Sequence, residues 1–488
     1  MSVDLSRRQG GCGRIGFRTG VVLLAGLFGA ATAWALDPVY PFVDPLRSKP
    51  VLLETGVTLP GDGAPVPCPA QKDFSLPLTL GEAVDLALCN NPQIRSSWAN
   101  IKIQAGALGE ARSAYLPAIT GSLGRTNDQI RYSDNRYTGT NVDQNTAQAT
   151  LTWRLLDFGG RAANNQAAEN LLTAALASHS STLQKALAEV IGAYCDALTT
   201  RAACNAKIES VDIAANTLRS ARSREEKGAL AQTDTLQATT ALAKASLEKN
   251  RAQGEHEKAL SVLRYVLGVT EKPTISLPDN LDEKAGENGG KALAVWLEET
   301  QRQHPALLAA RSQLEAAQHR VEATRSAGLP SLGLSASYYQ NTRPGEAVTY
   351  NDSKETTVGL VLTVPIFDGF SSTYKLQGAQ AQVEQKEAVL ADTEHQIAME
   401  VIKAYADATA ALQNLEASAN LLGAAQKALA VSQRKYAKGA TDIVELLNTQ
   451  AALADARQER IRCLAEWRSA RLRLLASAGQ IGRAATVE

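Results

Sequence analysis

The sequence predicts a mainly helical protein with a small β part, whose strands close into a barrel only when three chains meet. Three observations carry this. The 488 residues contain one structural unit twice, each unit holds a stretch of strict period-two alternation, and each holds one very long helical run. The chain carries 50 Lys+Arg against 50 Asp+Glu, with 5% aromatic residues. That balance excludes a nucleic-acid binder, whose footprint is a basic excess. Beyond the N-terminal segment no run of about 18 apolar residues occurs, which excludes a helical membrane protein. A barrel stays open, because its hydrophobicity averages away between two strand faces.

At the N-terminus Arg7, Arg8, Arg14 and Arg18 precede an apolar run from Val21 to Ala33, followed by the small-x-small site Ala33-Trp34-Ala35. Residues 1–35 are expected to be a secretory signal peptide, since the apolar run is too short to span a bilayer. Its removal leaves 46 Lys+Arg against 49 Asp+Glu, a mature charge of −3. No cysteine stands at the cleavage point for lipidation. Gly11-Cys12-Gly13-Arg14-Ile15-Gly16 spells a dinucleotide fingerprint by chance, as it neither follows a strand nor opens a helix. Residues 36–78 hold eight prolines between Pro38 and Pro69 and read as an irregular segment laid over the helices. Cys68 and Cys89 are candidates for a disulfide in a compartment that permits oxidation, though spacing alone does not decide it. Cys195 and Cys204 fall on one helix, about 13 Å apart along its axis, and cannot bridge.

The repeat appears as a match at an offset of 213 that becomes 211. Arg112-Ser113-Ala114-Tyr115-Leu116-Pro117 matches Arg325-Ser326-Ala327-Gly328-Leu329-Pro330, and Asn91-Pro92 matches His304-Pro305. Val190-Ile191-Gly192-Ala193-Tyr194-Cys195-Asp196-Ala197 matches the eight residues from Val401 to Ala408 at six positions, and Lys227-Gly228-Ala229 matches Lys438-Gly439-Ala440. The copies span residues 79–268 and 291–479, joined by a Pro- and Gly-bearing linker at 269–290 and followed by a tail at 480–488.

Each copy opens with a helix, 79–115 and 291–327, that ends before Leu-Pro. A β-hairpin follows, 116–156 and 330–366. On its returning strand Leu151, Trp153 and Leu155 share a face against Thr150, Thr152 and Arg154. In the second copy Leu332, Leu334, Val358, Leu360 and Leu362 form the corresponding apolar set. A much longer helix comes next, 160–226 and 370–437, which the α-helical rise makes about 100 Å long. It breaks at Gly228 or Gly439, and a shorter helix, 231–267 or 440–478, completes the unit.

Four strands cannot close a barrel, and isolated hairpins with an apolar face are aggregation-prone. Three chains supply twelve strands, an even number in the range of closed outer-membrane barrels. The apolar set then faces lipid and the Thr, Ser, Gln and Arg face a wet lumen. Tyr132, Tyr137, Tyr338, Tyr339 and Tyr350 near the loops, with Phe158, Phe367 and Phe370 at the opposite ends, are either two aromatic girdles or ordinary loop and core aromatics.

The ordered set of motifs resembles the TolC-like outer-membrane efflux proteins. The residues are Leu78-Thr79-Leu80-Gly81-Glu82-Ala83 with Ala87-Leu88 and Asn91-Pro92; Tyr115-Leu116-Pro117; Leu156-Asp157-Phe158-Gly159 with Phe367-Asp368-Gly369; and Gly439 followed by Glu445-Leu446-Leu447-Asn448. The resemblance covers nearly all of the mature chain. It implies a homotrimer in which a twelve-stranded outer-membrane β-barrel is continuous with a long α-helical barrel in the periplasm. It also implies docking of a periplasmic adaptor, or membrane fusion protein, at Lys227, Gly228, Ala229, Lys438, Gly439 and Ala440, although the two glycines serve equally as structural caps. Glu445 matches an acidic position lining the closed entrance, while Asn448 stands where relatives carry a second acid. Tyr436 and Asp234 match positions whose inter-helix hydrogen bonds latch the closed state, with Asp234 alternatively capping its own helix. Thr441 stands where relatives carry Arg.

No enzyme chemistry is expected. The five histidines (His179, His256, His304, His319, His395) form no HExxH, no CxxC pair exists, and Asp157-Phe158-Gly159 lacks the other kinase motifs, so no catalytic residue, metal site or cofactor is assigned. The resemblance and the missing lipidation cysteine favour the exit duct of a type I secretion system. It would be recruited by an inner-membrane ABC transporter and adaptor to export an unfolded protein such as an RTX toxin of the cyclolysin kind. The alternatives are the channel of a multidrug efflux pump and, in another class, a periplasmic coiled-coil adaptor.

Overall fold

The computed structural model describes residues 44–55, 76–130, 140–228, 231–269, 275–278, 291–342 and 352–481. Residues 1–47 and 48–488 form two units. Of the first, residues 44–47 are described, a turn in which Arg47 N–H donates to Asp44 O at 3.4 Å. The expected signal peptide, Cys68, Tyr132, Tyr137, Ala229 and Tyr350 lie outside the described residues.

In the second unit the elements run α1 (Leu52–Thr55), α2 (Leu80–Asn90), α3 (Pro92–Ser113), β1 (Ala118–Ile130), β2 (Thr140–Leu156), α4 (Gly160–Glu226) and α5 (Gln232–Val266). The second copy gives α6 (Leu293–Gln303), α7 (Pro305–Ala327), β3 (Ser331–Thr342), β4 (Asp352–Thr363), α8 (Ser371–Ala437) and α9 (Ile443–Ser477).

The opening helix of each copy, expected to run unbroken over 79–115 and 291–327, is two helices. Asn91 and His304 take extended backbone with ψ of 121° and 123°, because each precedes a proline whose ring forbids the helical conformation at the residue before it. Both then serve as N-caps: Asn91 Oδ1 accepts from Gln93 N–H at 2.8 Å and His304 Nδ1 from Ala306 N–H at 3.2 Å. α2 itself starts with a reciprocal capping box, Glu82 N–H to Thr79 Oγ1 at 3.4 Å and Thr79 N–H to Glu82 Oε2 at 3.0 Å. Such a cap stabilises a helix by about 1 kcal/mol.

The long helices α4 and α8 are 67 residues each. They end at Gly228 (φ 69°) and Gly439 (φ 72°), in the left-handed conformation that closes a helix. The core divides as the repeat does. One cluster joins α2, α4 and α5 around Leu187, Val190 and Leu263, a second joins α6, α8 and α9 around Val401 and Trp467, and a third forms where α4, α5, α8 and α9 come together at their tips.

Part of the expected linker belongs to the core. Ile275 and Leu277 are buried in the first cluster, and Ser276 O accepts from Leu78 N–H at 2.8 Å. The short alternation Ile-Ser-Leu buries two side chains and leaves the main chain between them free to pair. The tail is anchored likewise: Gln184 donates to Ile481 O at 3.0 Å and accepts from Ile481 N–H at 3.2 Å.

All four strands join one antiparallel sheet in the order β1-β2-β3-β4, so the two hairpins pair through β2 and β3 while β1 and β4 are its edges. Among the described residues no helix is long and apolar enough to cross a membrane.

Candidate functional site

Strand register sorts the sheet into two faces. Ile119, Leu151, Ala336 and Val358 lie in one cross-strand row, Trp153, Leu334 and Leu360 in the next, and Leu332 opposite Leu362 in the third. Every expected lipid-facing residue except Leu155 falls on this face. A β-bulge between Arg154 and Leu156 leaves Leu155 unpaired and sets Leu156 opposite Leu332 instead. Ile119, Val358, Leu360 and Leu362 are well exposed in the single chain. The other face carries Thr120, Thr150, Ser337 and Thr357 in one row, with Gln148, Tyr339 and Glu355 in another. Tyr338 sits opposite Ala149 on the apolar face, but Tyr339 points the opposite way, so the two cannot share a girdle.

The bulge has a visible cause at the strand-to-helix junction. Arg161 in the first turn of α4 donates to Arg154 O at 2.6 Å and to Leu155 O at 2.9 Å, pairs with Asp157 at 3.1 Å, and lies over the Tyr115 ring at 4.9 Å. Trp153 Nε1–H donates to Tyr115 O at 2.9 Å. One guanidinium thus ties the end of β2 to the ends of α3 and α4. The second copy has Ser372 at the matching position, and Asp368 there accepts from Ser372 N–H, at 2.8 Å. Phe158 and Phe370 take positive φ at these junctions (49° and 66°) and are exposed, as is Phe367, whose ring meets Phe370 edge-on at 5.5 Å.

At the far ends of the long helices Lys227, Gly228, Lys438, Gly439 and Ala440 are all exposed. A side chain added to either glycine would meet open space, so only the left-handed backbone requires glycine there. Glu445 and Asn448 stand one turn apart on α9. Asp442 caps this helix, Oδ1 accepting from Glu445 N–H at 2.9 Å, and the Thr441 hydroxyl donates to the Glu445 carboxylate.

Within the single chain no hydrogen bond joins Asp234 to Tyr436. Tyr436 is buried and its hydroxyl has no partner among the described residues. Burial raises the phenol's pKa, the Arg224 charge opposes that, and the Asp234 charge adds to it, so the carboxylate is near without bonding. Asp234 instead occupies the first turn of α5 behind the uncapped Ala231, where a negative charge suits the helix dipole. The tie between the helices comes from Arg224, which sequence reasoning missed. Its guanidinium lies 4.6 Å from the Tyr436 ring centre and donates to Tyr436 O at 2.9 Å and Ala437 O at 3.3 Å. The only signal in the sequence was a basic residue in a helix's last turn, ordinarily read as capping its own carbonyls.

Cys89 is disulfide-bonded, and Cys68 lies outside the described residues. Cys195, Cys204 and Cys463 are free and buried. His179 is buried with Nδ1 2.7 Å from Ser97 Oγ, and burial pushes its pKa down to about 4. Among the described residues no group of His, Cys, Asp and Glu could hold a metal ion.

The family profile described as "Outer membrane efflux protein" matches residues 83–269 and 296–480, one match for each structural copy. Protein CyaE of Bordetella pertussis is 36% identical over 438 residues, covering 88% of this chain and 91% of that protein. The alkaline protease secretion protein AprF of Pseudomonas aeruginosa is 24% identical over 431 residues, covering 85% and 87%. The solved structure of the outer-membrane channel OprN superposes with a TM-score of 0.73 at 18% identity, over 87% of this chain and 99% of that one.

Proposed function

Because the chain belongs to the outer membrane efflux protein family, we propose that it is the exit duct of a type I protein secretion system, working as a homotrimer. It is an outer-membrane channel, with its helical part in the periplasm. The observation that carries the assembly is the sheet's two open edges. β1 and β4 offer rows of unpaired main-chain groups, a template that a stable protein must cover. Three sheets joined edge to edge make twelve strands with the apolar face toward lipid and the Thr- and Ser-rich face toward a wet lumen.

Below the membrane α4 and α8 continue the wall toward the tips. There a periplasmic adaptor docks on Lys227, Gly228, Lys438, Gly439 and Ala440, and on Ala229 beside them, bringing an inner-membrane ABC transporter into line. Glu445 from three chains forms an acidic ring at the closed entrance, and the ring attracts cations. Asn448, one turn away, adds no charge, so the ring has one acid per chain. Cys68 is assigned as the partner of the bonded Cys89 at the end of α2, since Cys195, Cys204 and Cys463 are free. The protease-secretion role in AprF's name supports a polypeptide cargo here as well.

Deleting the gene and assaying culture supernatants tests this. A large protein retained in the cells, with drug sensitivity unchanged, supports polypeptide secretion; unchanged secretion with raised drug sensitivity supports the drug-efflux alternative and refutes it.

A further inference from the structure

Two cavities meet at the junction between sheet and helices. The upper one, about 570 Å³, lies between α3, α4, α7 and the end of β2, and is lined by Arg154, Arg161, Arg320, Glu110 and Asp157. The lower one, about 520 Å³, lies between α3, α4, α7 and α8, and is lined by Arg320, Lys386, Gln104, Gln313 and Gln385 among other small and amide side chains. Leu171 and Arg320 line both, so the two form one trough.

The trough carries an excess of basic charge, with Arg154, Arg161, Arg320 and Lys386 against Glu110 and Asp157. Of the two acids, Asp157 is held by Arg161 at 3.1 Å, and the lower cavity has none in its lining. Lys386 donates to Gln313 at 2.9 Å, a neutral partner that leaves its charge uncompensated. The guanidinium groups of Arg154 and Arg320 make no hydrogen bond or ion pair among the described residues. Arg154 belongs to the Thr150 and Thr152 face of β2, and its cross-strand neighbour is Gly333, which has no side chain to cover it. Through Arg154 the trough borders the polar face of the sheet, the lumen side in the duct reading, on which this inference rests.

We propose that this trough seats carboxylate-rich polypeptide, an acidic stretch of exported chain held at the neck where helical tunnel becomes barrel. Three copies would give six unpaired guanidinium groups around the neck. Arginine suits the task, since its planar fork engages a carboxylate through two parallel hydrogen bonds. A cleft with an excess of one sign of charge also concentrates ligands of the opposite sign, raising their capture rate. An acidic ring at the entrance and a basic neck near the exit leave a cargo attracted to each end by different segments.

The test uses the full-length trimer in planar bilayers at low salt, with an oligoglutamate peptide added on the side of the barrel mouth. We expect the peptide to interrupt the wild-type current. Arg154→Gln with Arg320→Gln should conduct normally and need about tenfold more peptide for half block. Heat-resistant trimer on a gel checks that the variant assembles. Fluorescence anisotropy of the labelled peptide on solubilised trimer reads the same loss without relying on insertion. Equal block of both proteins, or a conducting wild-type channel that the peptide leaves untouched, overturns the trough and leaves the duct standing. Block by polyphosphate but not by oligoglutamate overturns a polypeptide occupant, whereas a wild-type trimer that never conducts overturns the duct and the trough together.

Discussion

The guanidinium of Arg224, at the end of α4, stacks 4.6 Å from the ring centre of Tyr436, at the end of α8, and donates to that residue's carbonyl at 2.9 Å. A cation–π contact and a charge-assisted hydrogen bond together are worth about 1–3 kcal/mol at a partly buried site. They join the two long helices of a single chain at their far ends, where we propose the closed entrance. We expect Arg224→Ala to raise single-channel conductance, and Arg224→Lys, which keeps the charge and loses the planar stack, to fall between. Asp234→Asn, which removes no described hydrogen bond, should change it less than Arg224→Ala. Conductance unaltered by Arg224→Ala would remove the tie from the closing device.

How much of this is legible in the sequence depends on how local the cause is. The repeat, the strand faces and the glycine stops at Gly228 and Gly439 follow from spacing and backbone chemistry within a few residues. The breaks at Asn91 and His304 are equally local, written in the proline that follows each, and an unbroken helix drawn across them overlooks it. The partner of Arg224 is not local. Whether a last-turn arginine caps its own helix or a neighbour's is decided by packing between residues 212 apart. The basic trough is more distributed still, drawing on three helices and a strand end for its upper half. The register slip at Leu155 comes from Arg161 pulling on two carbonyls, which period-two alternation cannot anticipate.

The glycine at the tip of α8 is required by backbone conformation alone, since the space around it is open. Gly439→Ala should cost about 1–2 kcal/mol, the strain of a side chain in the left-handed region. Gly254→Ala, inside α5 and also in open space, should stabilise by about 0.5–1 kcal/mol. Hydrogen exchange at the two sites reads both signs, and a stabilising Gly439→Ala would be incompatible with the cap.

The two sheet faces should answer oppositely to charge. Leu360→Arg places a guanidinium on the apolar face at a cost of about 2–4 kcal/mol near the bilayer centre, so trimer yield in outer-membrane fractions should fall sharply. Thr357→Arg, on the other face, should assemble normally and shift ion selectivity. Equal damage from both would mean that the faces are misassigned.

Acid should weaken the helical part through His179 and His304. Burial holds both imidazoles neutral, lowering their pKa from 6.5 to about 4, with the Lys185 charge a lesser cause at His304. Between those values the unfolded chain binds more protons, so stability rises with pH across the window and is lost as pH falls through it. For His179 the loss amounts to at most ~3 kcal/mol. Thermal unfolding of the trimer from pH 7 to pH 4 should show a falling midpoint, shallower in His179→Asn. A flat profile would contradict neutral burial.

The pairing of β1 with β4 of a neighbouring chain is tested most directly by disulfide cross-linking in outer-membrane fractions. With one cysteine fixed at Leu123 on β1 and a second moved along β4 from Asp352 to Thr363, some positions should cross-link in steps that end at three chains. No cross-link at any position, or a ladder running past three, would contradict a closed twelve-stranded barrel.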